Sequence, residues 1–360
     1  MHVANHKVRE MVAVTLTKPK SADRTVAVWR WRPGLGLVAM IAAAVLTMAH
    51  PVLACEAPPP AVRDIALPRF YADQAGAVID PQQKAAHAQA VAPLKDFVGE
   101  VTSFADKSWK RSKPSAQAEV GVCAAAWIAA WAKDGALLGR METKQAEYER
   151  KWDHGALALA YLKVRRFASP EQRALIEPWL IKLADAGRAF FDDPQRKRNN
   201  HWYWLGLGVG ATALATGSKP HWQLAKSIFD DAMRDIGPDG AIAHEMAREM
   251  RALHYHDFAV MPLVVLAELA AARGEDWYQG QGAALHRLVG LTLAGHADPG
   301  VFDRLAGLPQ ERPVRVPAGW VDLYRARFPE RAGAGVVQSK PGHRWLGGDT
   351  GVLAAVLRER

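Results

Sequence analysis

A long succession of helical patterns with short connections constrains this chain more than any other feature. Eight segments place apolar residues three and four positions apart, which is the spacing of one face of an α-helix. The links between them are short and carry Gly, Pro or Asp, which end helices and form turns. The predicted helices span residues 116–138, 151–166, 170–191, 201–216, 220–236, 245–256, 258–273 and 279–295.

Strand patterns are nearly absent, so the fold class follows from the helices. The strand-like fragments are residues 314–316 and a segment around 335–337. The high alanine content favours helix and lets helices approach closely. We therefore predict one all-α domain over residues 55–360, built from paired antiparallel helices. Periodicity alone leaves a bundle, a solenoid and a closed α/α ring as alternatives.

The first 54 residues have the composition of a targeting segment. They hold seven Lys/Arg against Glu10 and Asp23, and residues 35–49 form an uncharged apolar run. Such a run is too short to span a bilayer comfortably and suits the h-region of a secretory signal peptide. We predict a signal peptide over residues 1–54, cleavage before Cys55 and no stable membrane span. The alternative is a single membrane anchor.

Net charge gives only weak support for an anionic ligand. The whole chain carries +9, of which residues 1–54 contribute +5, so the mature protein keeps a mild basic bias. That bias is compatible with an anionic partner. Nucleic acid is not the expected partner, because the sequence has no basic stripe interleaved with aromatic residues and no nucleic-acid-binding motif.

The two cysteines, Cys55 and Cys123, offer two alternatives. In an oxidising compartment they can form one disulfide that ties the mature N-terminus to a helix. Cys55 also follows Val-Leu-Ala, a loose lipobox, and could instead carry a lipid. Leu53 fits a lipobox poorly, so we favour the disulfide. Two separated cysteines do not make a zinc site.

One group of polar residues lies at the mouth of a predicted helix. Residues 199–204 read Asn-Asn-His-Trp-Tyr-Trp and follow the charged turn 192–198. Side chains there can face a ligand, and the free amides of the first helical turn favour an anionic group. The plainer interpretation is an Asn helix cap followed by core aromatics. The combination indicates a carbohydrate or acidic-ligand site.

A second group combines two cations with a phenol. Arg248, Arg251 and Tyr255 are three and four residues apart, so on the predicted helix 245–256 they share one face. The alternative is a solvated face on which Glu249 pairs with an arginine. As a site, the face would hold a carboxylate, and the cations would lower the pKa of the phenol.

Other catalytic classes find little support in the sequence. His244-Glu245 resembles the start of the zinc-protease helix motif, but Arg248 stands where the second histidine is needed. There is no Gly-x-Ser-x-Gly elbow for a serine hydrolase and no phosphate-binding glycine loop. We expect neither a metal nor a cofactor.

The two polar groups together resemble the alginate lyases of polysaccharide lyase family 5, the polymannuronate lyases. That family carries an Asn-Asn-His-x-Tyr-Trp block and, some fifty residues on, an Arg-x-x-Arg-Ala-Leu-x-Tyr-His block. Residues 199–204 and 248–256 match both blocks. Weaker resemblance extends from Cys55 and the residues around Tyr71 to residues 344–348, nearly the whole mature chain.

The resemblance implies an α/α toroid, an incomplete barrel of antiparallel helix pairs, that is exported to the periplasm and acts without a required metal. We also expect a monomer. Asn200 and Arg248 would neutralise the uronate carboxylate, and His201 and Tyr255 would transfer protons. Substrate contacts are expected from Asp73, Gln74, Lys144, Gln145, Tyr148, Trp204, Arg251, His254 and Arg344.

The implied reaction is β-elimination, which leaves a 4,5-unsaturated uronate at the new non-reducing end. Removing the C5 proton requires the adjacent carboxylate to be neutralised. When the C5 proton and O4 lie on one face, as in mannuronate, one tyrosine can act as base and acid in turn. When they lie on opposite faces, His201 could act as the base.

Two departures from the family pattern leave other polymers open. Gln74 stands at or beside a position where the family often has lysine, and His254 replaces a residue that is small in some members. The alternatives are a lyase acting on polyglucuronate or a broader set of acidic glycans, and a non-catalytic polyuronate-binding protein.

Overall fold

The computed structural model describes residues 55–73, 78–331 and 337–360. The predicted signal peptide and Gln74 lie outside the described residues. Twelve α-helices follow one another in the described part of the chain: α1 Pro81–Lys110, α2 Pro114–Lys133, α3 Lys144–Val164, α4 Pro170–Phe191, α5 Asn200–Thr216, α6 Lys219–Asp235, α7 Ala243–Met246, α8 Ala252–Ala271, α9 Ala283–Ala297, α10 Gly300–Ala306, α11 Trp320–Arg327 and α12 Thr350–Arg358.

The helices form two layers of an α/α toroid. Consecutive neighbours α3, α5 and α8 pack side by side in the inner layer and are buried on almost all sides. Helix α1 continues this layer on the other side of α3. Helices α2, α4, α6 and α9 pack outside them. The predicted all-α toroid is confirmed.

The sequence predictions omitted the longest helix, α1. Its start carries two clear signals: Asp80 accepts a hydrogen bond from the Gln83 amide, and Pro81 occupies the first helical position. Its inward side is marked by Val91, Leu94 and Val98, three and four residues apart. The polar and alanine-rich remainder hid this pattern, since most of the helix faces away from the core.

Helix α4 matches its predicted bounds of 170–191. Ser169 accepts from the Gln172 amide, and the Gln172 side chain accepts from the Ser169 amide, which completes a capping box. Pro170 at the first helical position adds a preset backbone angle. Local signals were sufficient here.

The predicted helix 245–256 is wrong, as is the break expected near residue 257. Helix α7 ends at Met246, a 3₁₀ turn covers Glu249–Arg251, and α8 then runs without interruption to Ala271. Glu249 has a φ of +52°, a left-handed conformation that a continuous helix cannot contain.

Residues 314–316, one of the strand-like fragments, lie in an irregular segment, and the other fragment is partly outside the described residues. A small antiparallel pair, β1 Gly342–His343 and β2 Gly348–Asp349, forms nearby instead. The turn between them carries Arg344 and Trp345 against α3.

One helical stretch in the described part of the chain is long and apolar enough to cross a membrane, Glu249–Ala271. Within its most apolar window 89% is buried inside the fold. Its apolar character is therefore that of a core helix in the centre of the toroid.

The structure joins Cys55 to Cys123 in a disulfide, as predicted. No free cysteine is present among the described residues, so Cys55 has no thiol left for a lipid. The bond fastens the extended chain before α1 to the middle of α2. Two tryptophans of α2 add to this, since Trp127 and Trp131 donate to the carbonyls of Glu56 and Pro59.

Replacing both cysteines by alanine should lower the free energy of unfolding by about 2–5 kcal/mol, because the unfolded chain regains the freedom of a long loop. Denaturant unfolding of variant and wild type would measure the difference, with reduced wild type as the matched control. Two free thiols titrated in unreduced wild-type protein would contradict the pairing.

Candidate active site

The candidate site is a cleft of about 1520 Å³ at one end of the toroid. The amino-terminal halves of α1, α3 and α8 and the first turn of α5 all contribute to its wall. Peptide dipoles give the amino-terminal end of a helix a partial positive charge. The direction of the inner helices therefore favours an anionic ligand before any side chain is considered.

The charged side chains of the wall act in the same direction. Among the described residues that line the cleft, eleven are Lys or Arg and two are Asp or Glu. The cations are Arg69, Lys84, Lys95, Lys144, Arg196, Lys197, Arg248, Arg251, Arg315, Lys340 and Arg344, and the acids are Glu149 and Asp257. A cleft that is long, open and this basic suits a polyanion.

Tyr255 lies at the centre of the cationic group. Its ring centroid is 4.2 Å from the guanidinium carbon of Arg248 and 5.2 Å from that of Arg251. Its hydroxyl is 2.9 Å from the hydroxyl of Tyr71. The three predicted residues do meet, although through the turn at Glu249 and not along one helical face.

The two cations do lower the pKa of this phenol, as predicted, but its net pKa is raised. Burial raises the pKa of Tyr255, Tyr71 raises it further, and the arginines Arg248 and Arg251 offset only part of that rise. Desolvation of the phenolate raises the pKa by more than the two nearby cations lower it.

Arg251 holds Tyr71 in place at the wall of the cleft. Its side chain is buried, donates to the Tyr71 hydroxyl at 3.0 Å and donates to Glu311 at 3.2 Å. Tyr71 was noted in the sequence only as part of a weak resemblance. Its place beside Tyr255 depends on a contact across 184 positions, which no local pattern reveals.

His201 stands on the opposite wall. Its ring stacks on Tyr148 at 3.7 Å between centroids, and its Nδ1 lies 3.0 Å from Nζ of Lys151. Burial, followed by the charges of Lys151 and Arg248, lowers the pKa of the imidazole well below its usual range. His201 is therefore neutral at physiological pH.

Asn200 lies behind the wall of the cleft. It is fully buried, and both its backbone amide and its side-chain amide donate to one oxygen of Glu245, at 3.1 and 2.9 Å. The other Glu245 oxygen is 3.7 Å from Nε of Arg248. Glu245 thus joins the first turn of α5 to Arg248, and Asn199, which caps α5, is the asparagine that lines the cleft.

Trp204 was expected to contact substrate, and the structure places it in the core. It is 1% exposed and donates its indole N–H to the Phe258 carbonyl at 3.0 Å. Four residues after Asn200 along α5, it has passed below the floor of the cleft. It supports Phe258, which does line the cleft.

Most of the other predicted binding residues are where a polymer can reach them. Lys144, Gln145, Tyr148 and His254 line the cleft. Burial, with the nearby arginines, lowers the pKa of His254 to about 3. His254 is therefore an uncharged hydrogen-bonding group.

Asp73 does not line the cleft, and its carboxylate accepts from the Val78 amide at 2.8 Å across a turn. Its backbone carbonyl accepts a hydrogen bond from Arg69. Asp73 therefore shapes the segment beside Tyr71, and its predicted contact with substrate stays a prediction.

Arg344 lines the cleft but is bound to acids of α3. It donates to Glu149 at 2.6 Å and lies 3.6 Å from Asp153. Burial and the neighbouring Glu149 raise the pKa of Asp153 well above its usual range. Arg344 therefore offsets the charge of Glu149, which would otherwise repel a polyanion, and it also fastens the β1–β2 turn to α3.

Several residues of the site were not predicted from the sequence. Lys84, His87 and Lys95 belong to α1, which the predictions omitted, and Arg196 and Lys197 come from the charged turn before α5. Trp345 stacks on Trp152 at 4.3 Å between ring centroids, and both line the cleft. Within the described residues, no group of three His, Cys, Asp or Glu is placed to hold a metal ion.

An α/α toroid with a basic cleft, a cation-flanked tyrosine and a facing histidine defines a polysaccharide lyase. The sequence agrees, since residues 69–302 match the profile of the alginate lyase family. The chain belongs to this family, polysaccharide lyase family 5.

Individual relatives support the assignment. A protein of Stenotrophomonas maltophilia (strain K279a) named polysaccharide lyase is 42% identical over 314 residues, which cover 86% of this chain and 93% of that protein. An alginate lyase of Azotobacter vinelandii is 36% identical over 192 residues, 51% of each chain. The crystal structure of alginate lyase A1-III from Sphingomonas species A1 has a similar fold, with a TM-score of 0.70, 24% identity and coverage of 83% and 85%.

The hydrogen bonds of His256 make the position of the α7 segment sensitive to pH. Its Nε2 accepts from the Ile242 amide at 2.9 Å, and its Nδ1 donates to the Ala252 carbonyl at 2.8 Å. Only the neutral ring can do both. Burial accordingly lowers the pKa of His256 to about 4.

We predict that His256 destabilises the fold in acid. Its pKa rises from about 4 when folded to about 6.5 when unfolded, so its contribution is complete above pH 6.5 and is lost as pH falls towards 4. In urea unfolding, the stability gap between wild type and His256→Gln should shrink by about 2 kcal/mol from pH 7 to pH 5. The gap should stay constant between pH 7 and 8, and a constant gap down to pH 5 would contradict the assignment.

Proposed function

We propose that this protein cleaves alginate within polymannuronate by β-elimination and leaves a 4,5-unsaturated uronate at the new non-reducing end. One observation supports this most directly: Tyr255 is flanked by Arg248 and Arg251 in a cleft lined by eleven cations. A binding protein needs the charge but has no use for a buried phenol at the point where the charge is densest.

Arg248 is the group that neutralises the uronate carboxylate in this proposal. The C5 proton is weakly acidic, and the charge that spreads onto the carboxylate during its removal must meet a fixed cation. Glu245 holds Arg248 and Asn200 from behind. Because its amide is bound to Glu245, we assign Asn200 a positioning role through that carboxylate.

Tyr255 serves as base and then as acid. In mannuronate the C5 proton and O4 share one face of the sugar. A single tyrosine can therefore take the proton as its phenolate and return it, as the phenol so formed, to the departing oxygen. The C5–H bond breaks, its electrons form the C4–C5 double bond, and the C4–O4 bond breaks as O4 is protonated. Tyr71, 2.9 Å from the Tyr255 hydroxyl, can donate a hydrogen bond to the phenolate.

A panel of polyuronates tests the substrate. Purified protein with polymannuronate should produce the ultraviolet absorbance of unsaturated uronate ends. Equal or faster cleavage of polyglucuronate or other acidic glycans would show a broader lyase, and tight binding without absorbance would show a non-catalytic protein.

Residues 1–54 and the disulfide support export, and we propose a periplasmic location for the reaction.

We predict that Tyr255→Phe abolishes turnover and leaves polymer binding intact, because only the phenol oxygen is removed. Loss of the acid and base should reduce kcat by roughly 10²–10⁴-fold or more. Steady-state kinetics on polymannuronate would measure this, with Tyr203→Phe, whose hydroxyl donates to Asp235 inside the core, as the matched control. Activity of Tyr255→Phe within a few-fold of wild type would remove Tyr255 from the mechanism.

Arg248 and Arg344 should separate in kinetics. Arg248→Ala should depress kcat, because it removes charge stabilisation in the transition state. Arg344→Ala should mainly raise KM, since it leaves the charge of Glu149 to repel the polymer. The double variant Arg344→Ala/Glu149→Gln should have a KM closer to that of wild type than Arg344→Ala alone. The reverse pattern would mean that the two arginines have exchanged roles.

A further inference from the structure

A buried lysine lies directly behind the histidine of the site. Lys151 is 3% exposed, belongs to α3 and places its Nζ 3.0 Å from Nδ1 of His201. In the part of the chain that the structure describes, no carboxylate lies within 4.0 Å of this Nζ. Burial of a lysine costs hydration free energy, and here no ion pair compensates for it, so other contacts must account for its position.

The remaining contacts of Lys151 suit a hydrogen-bond donor held in an aromatic pocket. Its Nζ is 4.3 Å from the ring centroid of Trp152 and 5.0 Å from that of Tyr148. Tyr148 also stacks on His201, so lysine, tyrosine and histidine form one packed unit. The aromatic faces attract a cation or the positive end of an N–H bond.

We propose that Lys151 is a positioning residue that donates a hydrogen bond to Nδ1 of His201 and thereby fixes the histidine with its proton on Nε2. The inference rests on the proposed lyase function for its kinetic consequences. The hydrogen bond itself can be tested without any substrate.

The donor direction follows from the chemistry of the two groups. An ammonium has three N–H donors and no acceptor, and a neutral amine still has two N–H donors. Donation is therefore available in both protonation states of Lys151, whereas acceptance is available in one. Burial lowers the pKa of Lys151 well below its usual range, and donation survives that change.

The groups around His201 also keep its ring neutral. Lys151 and Tyr148 face it from α3, and Arg248 faces it from the segment between α7 and α8. A second proton on the ring would meet the lysine N–H and the arginine charge. The neutral ring with Nδ1 accepting is thus the form that this environment favours.

The fixed proton decides what His201 can do. With Nε2 protonated, the histidine donates a hydrogen bond into the cleft and cannot remove a proton from C5. It can stabilise charge on the uronate carboxylate beside Arg248. Tyr255 is then the sole base, which limits the enzyme to sugars whose C5 proton and O4 lie on one face. Lys151 is in this sense a specificity-determining residue for mannuronate over guluronate.

Nitrogen-15 NMR of histidine-labelled protein tests the hydrogen bond directly. The His201 signals are assigned by their loss in His201→Gln. Wild type should show an unprotonated Nδ1 and a protonated Nε2 from pH 6 to 8 in the absence of substrate. A protonated Nδ1 would overturn the proposal, and this result does not depend on whether any variant folds.

Two substitutions at Lys151 extend the test to turnover. Lys151→Met keeps length and apolar contact but removes the donor. Its kcat on polymannuronate should fall about 10- to 100-fold with a small change in KM, and its relative rate on polyguluronate should rise. Because Lys151 is one of the groups that lower the pKa of His201, its replacement should also raise that pKa and add an acidic limb to the pH–rate profile.

Lys151→Arg retains a donor and should restore the wild-type NMR pattern and most of the kcat. The matched charge control is Lys95→Met, which removes a cleft cation on α1 and should raise KM while leaving the His201 signals unaltered. A Lys151→Met protein that folds and keeps wild-type kcat and pH profile would overturn the proposal. If wild type cleaves no polyuronate, the proposed function fails, and the NMR result still decides the role of Lys151.

Discussion

The close approach of α3 and α5 is the constraint on which the site depends. Gly155 and Gly208 face each other where these helices touch. A Cβ on Gly208 would lie 2.9 Å from Nδ1 of His154 and 3.3 Å from the Gly155 Cα, so there is no room for a side chain. The two helices run in the same direction, with α4 returning outside them. About two turns before the contact, Tyr148 therefore stands beside His201.

The groups fixed in this way are unusual because several are charged and buried. Helix α3 buries Glu149, Arg150, Lys151, Asp153 and Lys163. Each loses hydration, and the structure compensates with specific partners: Arg150 with Glu147, Lys163 with Asp106, and the acids Glu149 and Asp153 with Arg344. Such groups contribute little net stability. Their value lies in fixed dipoles and charges that need no reorganisation when charge develops in a substrate.

Local signals in the sequence predicted what local structure decides. The caps and bounds of α4 are of this kind, and so is the proximity of Arg248 to Tyr255. The reason given for that proximity, one helical face, was nevertheless wrong, because Glu249 adopts a left-handed conformation that its side chain does not favour. The cationic group survives because contacts within eight residues tolerate a change of backbone path.

The residues that escaped prediction depend on distant contacts. Lys151 lies between Glu149 and Asp153 in a sequence that resembles a solvated helix, and only the packing of α5 against α3 turns it towards His201. The role of Glu245 was missed for the same reason, since its hydrogen-bond partner Asn200 is 45 positions away. The prediction for Trp204 was wrong in the opposite direction. As part of the recognisable block 199–204 it was expected to line the cleft, but α5 lies deep in the toroid and buries Trp204 in the core.

The cleft contains partly hydrated cations and buried cations, and the two groups respond differently to salt. Cations on α1 and on the turn before α5 remain partly hydrated, so their attraction for a polyanion acts over distance and weakens with ionic strength. Arg248, Arg251 and Lys151 are mostly buried, and salt screens them less. The β1–β2 turn packs against α3 beside these groups, with Trp345 stacked on Trp152 and Arg344 bound to Glu149. The β1–β2 turn therefore forms part of the cleft wall, and Arg344 supplies the cation that the buried acids of α3 need.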